Sequence, residues 1–187
     1  LKGRTLLVNG QVRAVLLKDL TATQAAALVK QHAATLTSVL DDGGAVFAPA
    51  VLAALKQVRA PRLLLQLHRL RGHVSKLPRL AQLGNKLWGL VFVAALMTDE
   101  DYKLLVPFKS LRALLLVDTA LTDAGVGFIA QLTGLRVLHL TWADITDAAV
   151  PKLATLTHLR RLRLQAKKLT ARGVAHLAKL RDLRTLD

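Results

Sequence analysis

The sequence contains three consecutive copies of one 24-residue unit. The copies are LRALLLVDTALTDAGVGFIAQLTG, LRVLHLTWADITDAAVPKLATLTH and LRRLRLQAKKLTARGVAHLAKLRD, at residues 111–134, 135–158 and 159–182. A unit this short cannot bury its own apolar face, whereas stacked copies bury a continuous core. The repeat therefore predicts a solenoid in which each copy contacts mainly its neighbours.

Each copy has the pattern of a strand followed by a helix. With the first leucine of a copy as offset 0, leucine recurs at offsets 0, 3 and 5, and the alternation at 3 and 5 has the period of a strand. Threonine occupies offset 11 in every copy, where its hydroxyl can cap a helix. Apolar residues follow at offsets 15, 18 and 21. We expect a strand, a turn and a helix in each repeat.

A fourth copy and several weaker ones extend the repeat towards the N-terminus. Residues 87–110, LWGLVFVAALMTDEDYKLLVPFKS, keep the register, so residues 87–187 form the regular part of the solenoid. Within residues 1–86, RLLLQL predicts a strand, FAPAVLAALKQV a helix, and VLLKDLTATQAAALVKQ a strand, a turn and a helix. Asn9 and Gly10 lie between two apolar runs and predict an N-terminal β-hairpin cap. We expect a single solenoid domain over residues 1–187.

The repeats resemble those of the leucine-rich repeat proteins. The segments TALTDAGV and ADITDAAV are similar to bacterial repeats whose helices begin with Thr-Asp-Ala. The resemblance implies an α/β horseshoe, with parallel strands on the concave face and helices on the convex face. The usual Asn or Cys is replaced at offset 8 by Thr119, Ala143 and Lys167, so we do not expect the side-chain ladder that normally ties the turns together.

Offsets 2, 4 and 6 are expected to project from the strands, and we refer to these side chains as the strand face. From the fourth copy onwards the residues change from apolar to basic, which predicts an exposed apolar patch at Val91, Val93, Leu115 and Val117. A solenoid usually meets its ligand on this face, and Trp142 at offset 7 is a candidate anchor beside it. The predicted partner-binding residues are Val91, Val93, Leu115, Val117, Val137, His139, Thr141, Trp142, Arg161, Arg163 and Gln165. The alternatives are that a neighbouring domain covers the patch and that Trp142 packs into its turn.

A second pattern places arginine at offset 1. Strands about 4.8 Å apart would align these residues as a basic ladder, Arg112, Arg136, Arg160 and Arg184. The net charge of +15 adds to this pattern, as does the absence of Asp and Glu from Gly43 to Thr98, a stretch that contains the basic residues Lys56, Arg59, Arg62, Arg69, Arg71, Lys76, Arg79 and Lys86. The ladder favours an acidic protein or a nucleic acid bound through its phosphates, although arginine-rich codon usage would also produce a basic chain.

The sequence offers no constellation for catalysis. There is no cysteine, the histidines lack metal-ligand spacing, and no phosphate loop or nucleophile elbow is present. Asp99, Asp123 and Asp147 stand at predicted helix starts, where we expect them to act as caps. We therefore predict a protein that is not an enzyme and needs no metal or cofactor.

The predicted function is protein–protein interaction on the strand face, with binding of nucleic acid or another polyanion as the alternative. The longest apolar run, LWGLVFVAALM, is too short for a membrane span. We expect a soluble protein, and we favour the cytoplasm because a chain without cysteine suits a reducing compartment. LRTLD at the C-terminus reads as the opening strand of a further repeat, so we expect either a piece of a longer chain or an irregular last turn. An open apolar end there would favour self-association.

Overall fold

In the computed structural model, which describes residues 5–70 and 72–187, the chain forms one sheet whose strand order follows the chain. The nine strands are β1 (Thr5–Val8), β2 (Gln11–Leu16), β3 (Ser38–Asp41), β4 (Leu63–His68), β5 (Leu87–Val93), β6 (Ala113–Val117), β7 (Val137–Thr141), β8 (Arg161–Gln165) and β9 (Thr185–Leu186). β1 pairs antiparallel with β2, and every later pair is parallel. The described residues therefore form an open α/β solenoid, as the repeat predicts.

A helical segment follows each strand from β2 to β8. The α-helices are α1 (Ala22–Gln31), α2 (Pro49–Lys56), α3 (Asp123–Ile129), α4 (Val150–Leu153) and α5 (Ala171–Val174). The 3-10 helices are Ala45–Phe47, Val74–Lys86, Asp99–Leu105, Asp147–Ala149 and Ala175–Lys179. Successive segments contact one another and form a second layer beside the sheet. Among the described residues, no helix has the length and apolar character needed to cross a bilayer.

The 24-residue register is confirmed at the strands. Leu90, Leu114, Leu138 and Leu162, at offset 3, pair in sequence across β5 to β8, and each is at most 1% exposed. The leucines at offsets 0 and 5 are buried too, except Leu164, which is half-buried because β9 covers only the first part of β8. One apolar core therefore runs through successive repeats, which is where the repeat places it.

Aspartates between neighbouring repeats have a role other than the predicted capping. Thr122 and Thr146 do cap their helices, but through their own hydroxyl groups, which accept from the N–H groups two residues on. The carboxylate of Asp123 instead accepts from the N–H of Thr146 at 2.8 Å and from its hydroxyl at 2.6 Å. We refer to such a contact as an Asp–Thr brace, and the same two bonds join Asp99 to Thr122 and Asp147 to Thr170. The capping prediction was thus wrong for the aspartates, because the fold turns them towards the next repeat.

The braces supply the side-chain ladder that offset 8 lacks. At offset 14 the brace needs a small residue, because a Cβ at Gly125 would overlap Asp99 and a Cβ at Gly173 would overlap Asp147. Bonds from the Thr170 side chain, and next from its backbone N–H, lower the pKa of Asp147 and keep this carboxylate charged. Adjacent repeats are therefore joined by charge-assisted hydrogen bonds as well as by the core.

The N-terminal half contains the predicted elements in less regular form. Asn9 and Gly10 have φ angles of 51° and 72°, the left-handed backbone that a tight hairpin turn requires, and they connect β1 to β2 as predicted. The helix in FAPAVLAALKQV is α2, and RLLLQL contributes β4. The segment DDGGAVFAP is held by Asp41, which is 1% exposed and accepts from the N–H groups of Ala45 and Val46.

Candidate interaction surface

The strand face is formed by rows of side chains that the parallel pairing sets side by side. The row at offset 4 crosses from Gln66 through Val91, Leu115 and His139 to Arg163. The row at offset 2 includes Gly89, Ala113, Val137 and Arg161, and the row at offset 6 includes Val93, Val117, Thr141 and Gln165. The predicted strand-face residues thus lie on three adjacent rows of β5 to β8, with the apolar residues at one end and the arginines at the other.

The apolar end of the strand face is less exposed than the sequence predicts. Val91 is only 7% exposed, while Val93, Leu115 and Val117 are half-buried. Val91 stands between Gln66 and Leu115 in neighbouring strands, and strands about 4.8 Å apart bring such side chains into contact. The prediction of an open patch at Val91 was therefore wrong, and the accessible apolar surface lies around Leu115 and Val117.

Gly89 explains why the sheet surface is so tightly filled at this point. A Cβ at Gly89 would lie 2.6 Å from the side chain of Leu64 and 3.1 Å from the Cβ of Ala113. The Leu64 side chain thus lies against the backbone of β5 and fills the space that a larger residue would take. This part of the strand face is covered by its own side chains.

The basic end is open. Arg161, Arg163 and Gln165 are exposed, whereas Val137, His139 and Thr141 are half-buried. A groove of about 260 Å³ lies between the last strands, lined by Val137, His139, Arg161, Leu162, Thr185 and Asp187. Burial, and next the charge of Arg163, lowers the pKa of His139, so this imidazole is neutral at pH 7. The positive charge of the basic end therefore comes from the arginines.

Trp142 is the most exposed of the large apolar side chains in the described residues, at 72%. Its backbone is left-handed, with φ of 64°, and its N–H donates to the carbonyl of Gln165 at 2.9 Å. The left-handed turn recurs directly after other strands, at Arg69, Ala94 and Asp118. The strand end therefore directs the indole outwards, and the alternative that Trp142 packs into its turn is wrong.

Beside Trp142 is a second groove, of about 760 Å³. Its polar lining includes Asp118, Gln165 and an ion pair in which Lys168 Nζ lies 2.7 Å from Asp144 Oδ1. The sequence analysis did not single out Asp118, Asp144 or Lys168. Their signal was their place at offsets 7 and 9, next to Trp142 in the adjacent turns.

The backbone of the basic ladder is present as predicted. Each arginine N–H donates to the carbonyl of the preceding one at 2.8 Å, from Arg136 to Arg112, from Arg160 to Arg136 and from Arg184 to Arg160. The side chains differ, because Arg112 Nη1 donates to the carbonyls of Lys109 and Leu111 at 3.2 Å and is half-buried. Arg136, Arg160 and Arg184 are exposed, and they form the accessible part of the ladder.

The basic stretch from Gly43 to Thr98 is used in part for packing. Lys86 Nζ donates to the carbonyl of Lys56, and the guanidinium of Arg62 lies 5.9 Å from the ring centre of Trp88. Arg71 lies outside the described residues. Within residues 5–70 and 72–187, no cluster of three or more His, Asp and Glu side chains could hold a metal ion.

Tandem strand–turn–helix units, aligned leucines and an open parallel sheet define the class of fold as a leucine-rich repeat solenoid. No protein-family model matches the chain, and no curated protein does. Among solved structures, the chain is similar to an internalin from Listeria monocytogenes, with 15% sequence identity and a TM-score of 0.46 over 85% of this chain. The chain spans 56% of the length of that internalin chain.

Proposed function

We propose that this chain is a non-catalytic interaction module that binds a partner protein on the basic half of the strand face. The observation that carries the proposal is the joint exposure of Arg161, Arg163 and Trp142 along one edge of the sheet. In the described part of the chain, neither arginine side chain forms a hydrogen bond or an ion pair. A large exposed aromatic side chain beside free arginines has the composition of a binding hot spot.

The two ends of the strand face suit different parts of one partner. Half-buried Leu115 and Val117 offer apolar contact area, whereas Arg161 and Arg163 offer donors in the fork geometry that matches carboxylates. The partner segment that fits is apolar at one end and acidic at the other. Binding would bury apolar area, and the arginines would orient the segment.

The test begins with a partner recovered by co-purification from the native source. We expect Trp142→Ala to weaken its binding by about 2 kcal/mol or more, as loss of a hot-spot aromatic does, and Arg163→Glu to weaken it by like-charge repulsion. Calorimetry on purified components measures both effects. Leu115→Asp extends the test to the apolar end, with circular dichroism to verify that the half-buried site still folds.

Matched controls lie on the helical layer. Ala124→Asp and Lys179→Glu make the same kinds of charge change as Leu115→Asp and Arg163→Glu, at exposed residues away from the strand face. Binding that is unaffected by every strand-face change, or is weakened equally by the controls, would contradict the proposal.

A second candidate, binding of nucleic acid or another polyanion, is favoured by the three exposed ladder arginines. Phosphate contacts release counterions, so affinity would fall steeply with salt. Filter binding at two salt concentrations separates the candidates. A polyanion that does not bind at low salt, or that binds equally well after reversal of Arg136 and Arg160, would remove this one.

A further inference from the structure

A cavity of about 210 Å³ lies where the basic ladder meets the corners that precede the strands. It is lined by Arg112, Gly134, Arg136, His158, Arg160 and Asp182. The ladder residues come from offset 1 and the other three from offset 23, the last residue of a repeat. Parallel pairing places both sets side by side, because Arg160 N–H donates to the carbonyl of Arg136 at 2.8 Å. Residues 24 positions apart thus converge on one space, which is separate from the strand face.

The charges around this cavity are unbalanced. Arg136 and Arg160 have no hydrogen bond or ion pair through their side chains in the described residues. Asp182 is the single acid in the lining, and its carboxylate lies 3.8 Å from His158 Nδ1. Arg112 already donates to backbone carbonyls, so it adds charge but fewer free donors. Two unpaired guanidinium groups therefore face a space that contains no acid to neutralise them both.

The cavity is specific to one place along the ladder. Offset 23 is Ser110 one repeat earlier, whereas here it is Gly134 and then His158. A Cβ at Gly134 would overlap the guanidinium of Arg112, so glycine at this corner lets Arg112 lie along the edge of the cavity. A ladder of arginines alone would give a uniform basic edge. The corner residues add an enclosed space with a histidine in its wall.

We propose that this cavity binds a phosphate or sulfate group. Each guanidinium presents parallel N–H donors that match two oxygens of an oxyanion. A tetrahedral group has oxygens to offer both arginines at once, and its charge close to −2 suits two cations better than a single carboxylate does. Since one water occupies about 30 Å³ of liquid volume, the cavity has room for a five-atom oxyanion together with bound water.

The first experiment titrates the protein with inorganic phosphate, at ionic strength held constant with sodium chloride, and follows the amide resonances of Gly134 and His158 by NMR. We expect a saturable shift at these residues. Arg136→Gln combined with Arg160→Gln should weaken phosphate at least about tenfold, which corresponds to the loss of one charge-assisted hydrogen bond.

The control removes the same charge elsewhere, with Arg59→Gln and Arg172→Gln at exposed positions outside the cavity lining. Its phosphate affinity should stay within about twofold of the unchanged protein, since screening reduces the effect of distant charges. His158→Gln tests the corner and should weaken binding with the ladder intact. Shifts that never saturate, or an equal loss in both double variants, would overturn the proposal.

A second arm identifies the source of the phosphate group, with an oligothymidylate of about 12 nucleotides, a length within the usual site sizes for single strands. Displacement of inorganic phosphate by the oligonucleotide, and loss of both in the Arg136 and Arg160 double variant, would identify phosphates carried by a nucleic acid. Phosphate binding that the oligonucleotide does not disturb would identify the free ion. Both results are compatible with any outcome at the strand face, because the tested residues are not shared.

Discussion

At the scale of single residues, neighbouring positions in a strand have opposite environments. Leu138 is fully buried and contacts the core shared with adjacent repeats, whereas His139, the next residue, lies half-buried on the strand face. The alternation follows from the strand period of two, which sends successive side chains to opposite sides of the sheet. Core and candidate interface are therefore specified by alternate letters of the same short segment.

This alternation predicts unequal costs for two adjacent substitutions. Leu138→Ala removes a buried side chain and leaves a cavity, so we expect a loss of about 2 to 5 kcal/mol in the free energy of unfolding. His139→Ala acts on the strand face and should change that free energy by about 0.5 kcal/mol or less. Urea denaturation of both variants makes the comparison, and a mild Leu138→Ala beside a severe His139→Ala would contradict the assigned register.

At the scale of elements, the Asp–Thr brace makes each helix start depend on the repeat before it. Asp123 belongs to α3, yet it holds the backbone N–H and the hydroxyl of Thr146 at the start of the next helical segment. The hydroxyl of Thr146 in turn accepts from the N–H of Ala148. One threonine thus connects the repeat before it to the helix that it caps.

The brace predicts that Asp123→Ala is costly even though it removes no core atom. The N–H of Thr146 would lose its acceptor at a half-buried site, so we expect a loss of about 1 to 3 kcal/mol in the free energy of unfolding. Glu100→Ala is the control, since it removes an exposed carboxylate paired with Lys103 at 3.2 Å, a contact worth about 0.5 kcal/mol. Thermal unfolding of both variants tests this, and equal small losses would show that the brace contributes little.

At the scale of the whole molecule, stability is distributed along the sheet. The strand order follows the chain from β1 to β9, and the helical segments contact mainly their sequence neighbours. The core is continuous, but each repeat touches only the repeats beside it. In such a solenoid, stability is close to a sum of repeat and interface terms.

A local defect should therefore stay local. In the Leu138→Ala protein we expect faster amide hydrogen exchange across residues 111–182, with little change in the hairpin at Asn9. Hydrogen exchange followed by mass spectrometry resolves the two regions. Uniform acceleration along the chain would mean that the solenoid unfolds as one cooperative unit.

The sequence by itself determined the features that depend on local pattern. In-frame leucines specified β5 to β8 and their register, because burial of one apolar face fixes which alternate residues point inwards. Asn9 and Gly10 specified the hairpin, because both positions need a left-handed backbone. The threonine caps followed from the same local chemistry.

Only the tertiary structure decided the features that join neighbouring repeats. The partner of Asp123 lies 23 residues away, so sequence spacing within one repeat suggested capping instead of a brace. Val91 is covered by the strands beside it, and Arg112 is held by the carbonyls of its own corner, although their letters resemble those of exposed neighbours. The cavity at Arg136 and Arg160 exists because parallel pairing sets residues 24 apart next to each other. Exposure and charge pairing depend on what occupies the adjacent strand, and that is set when the repeats stack.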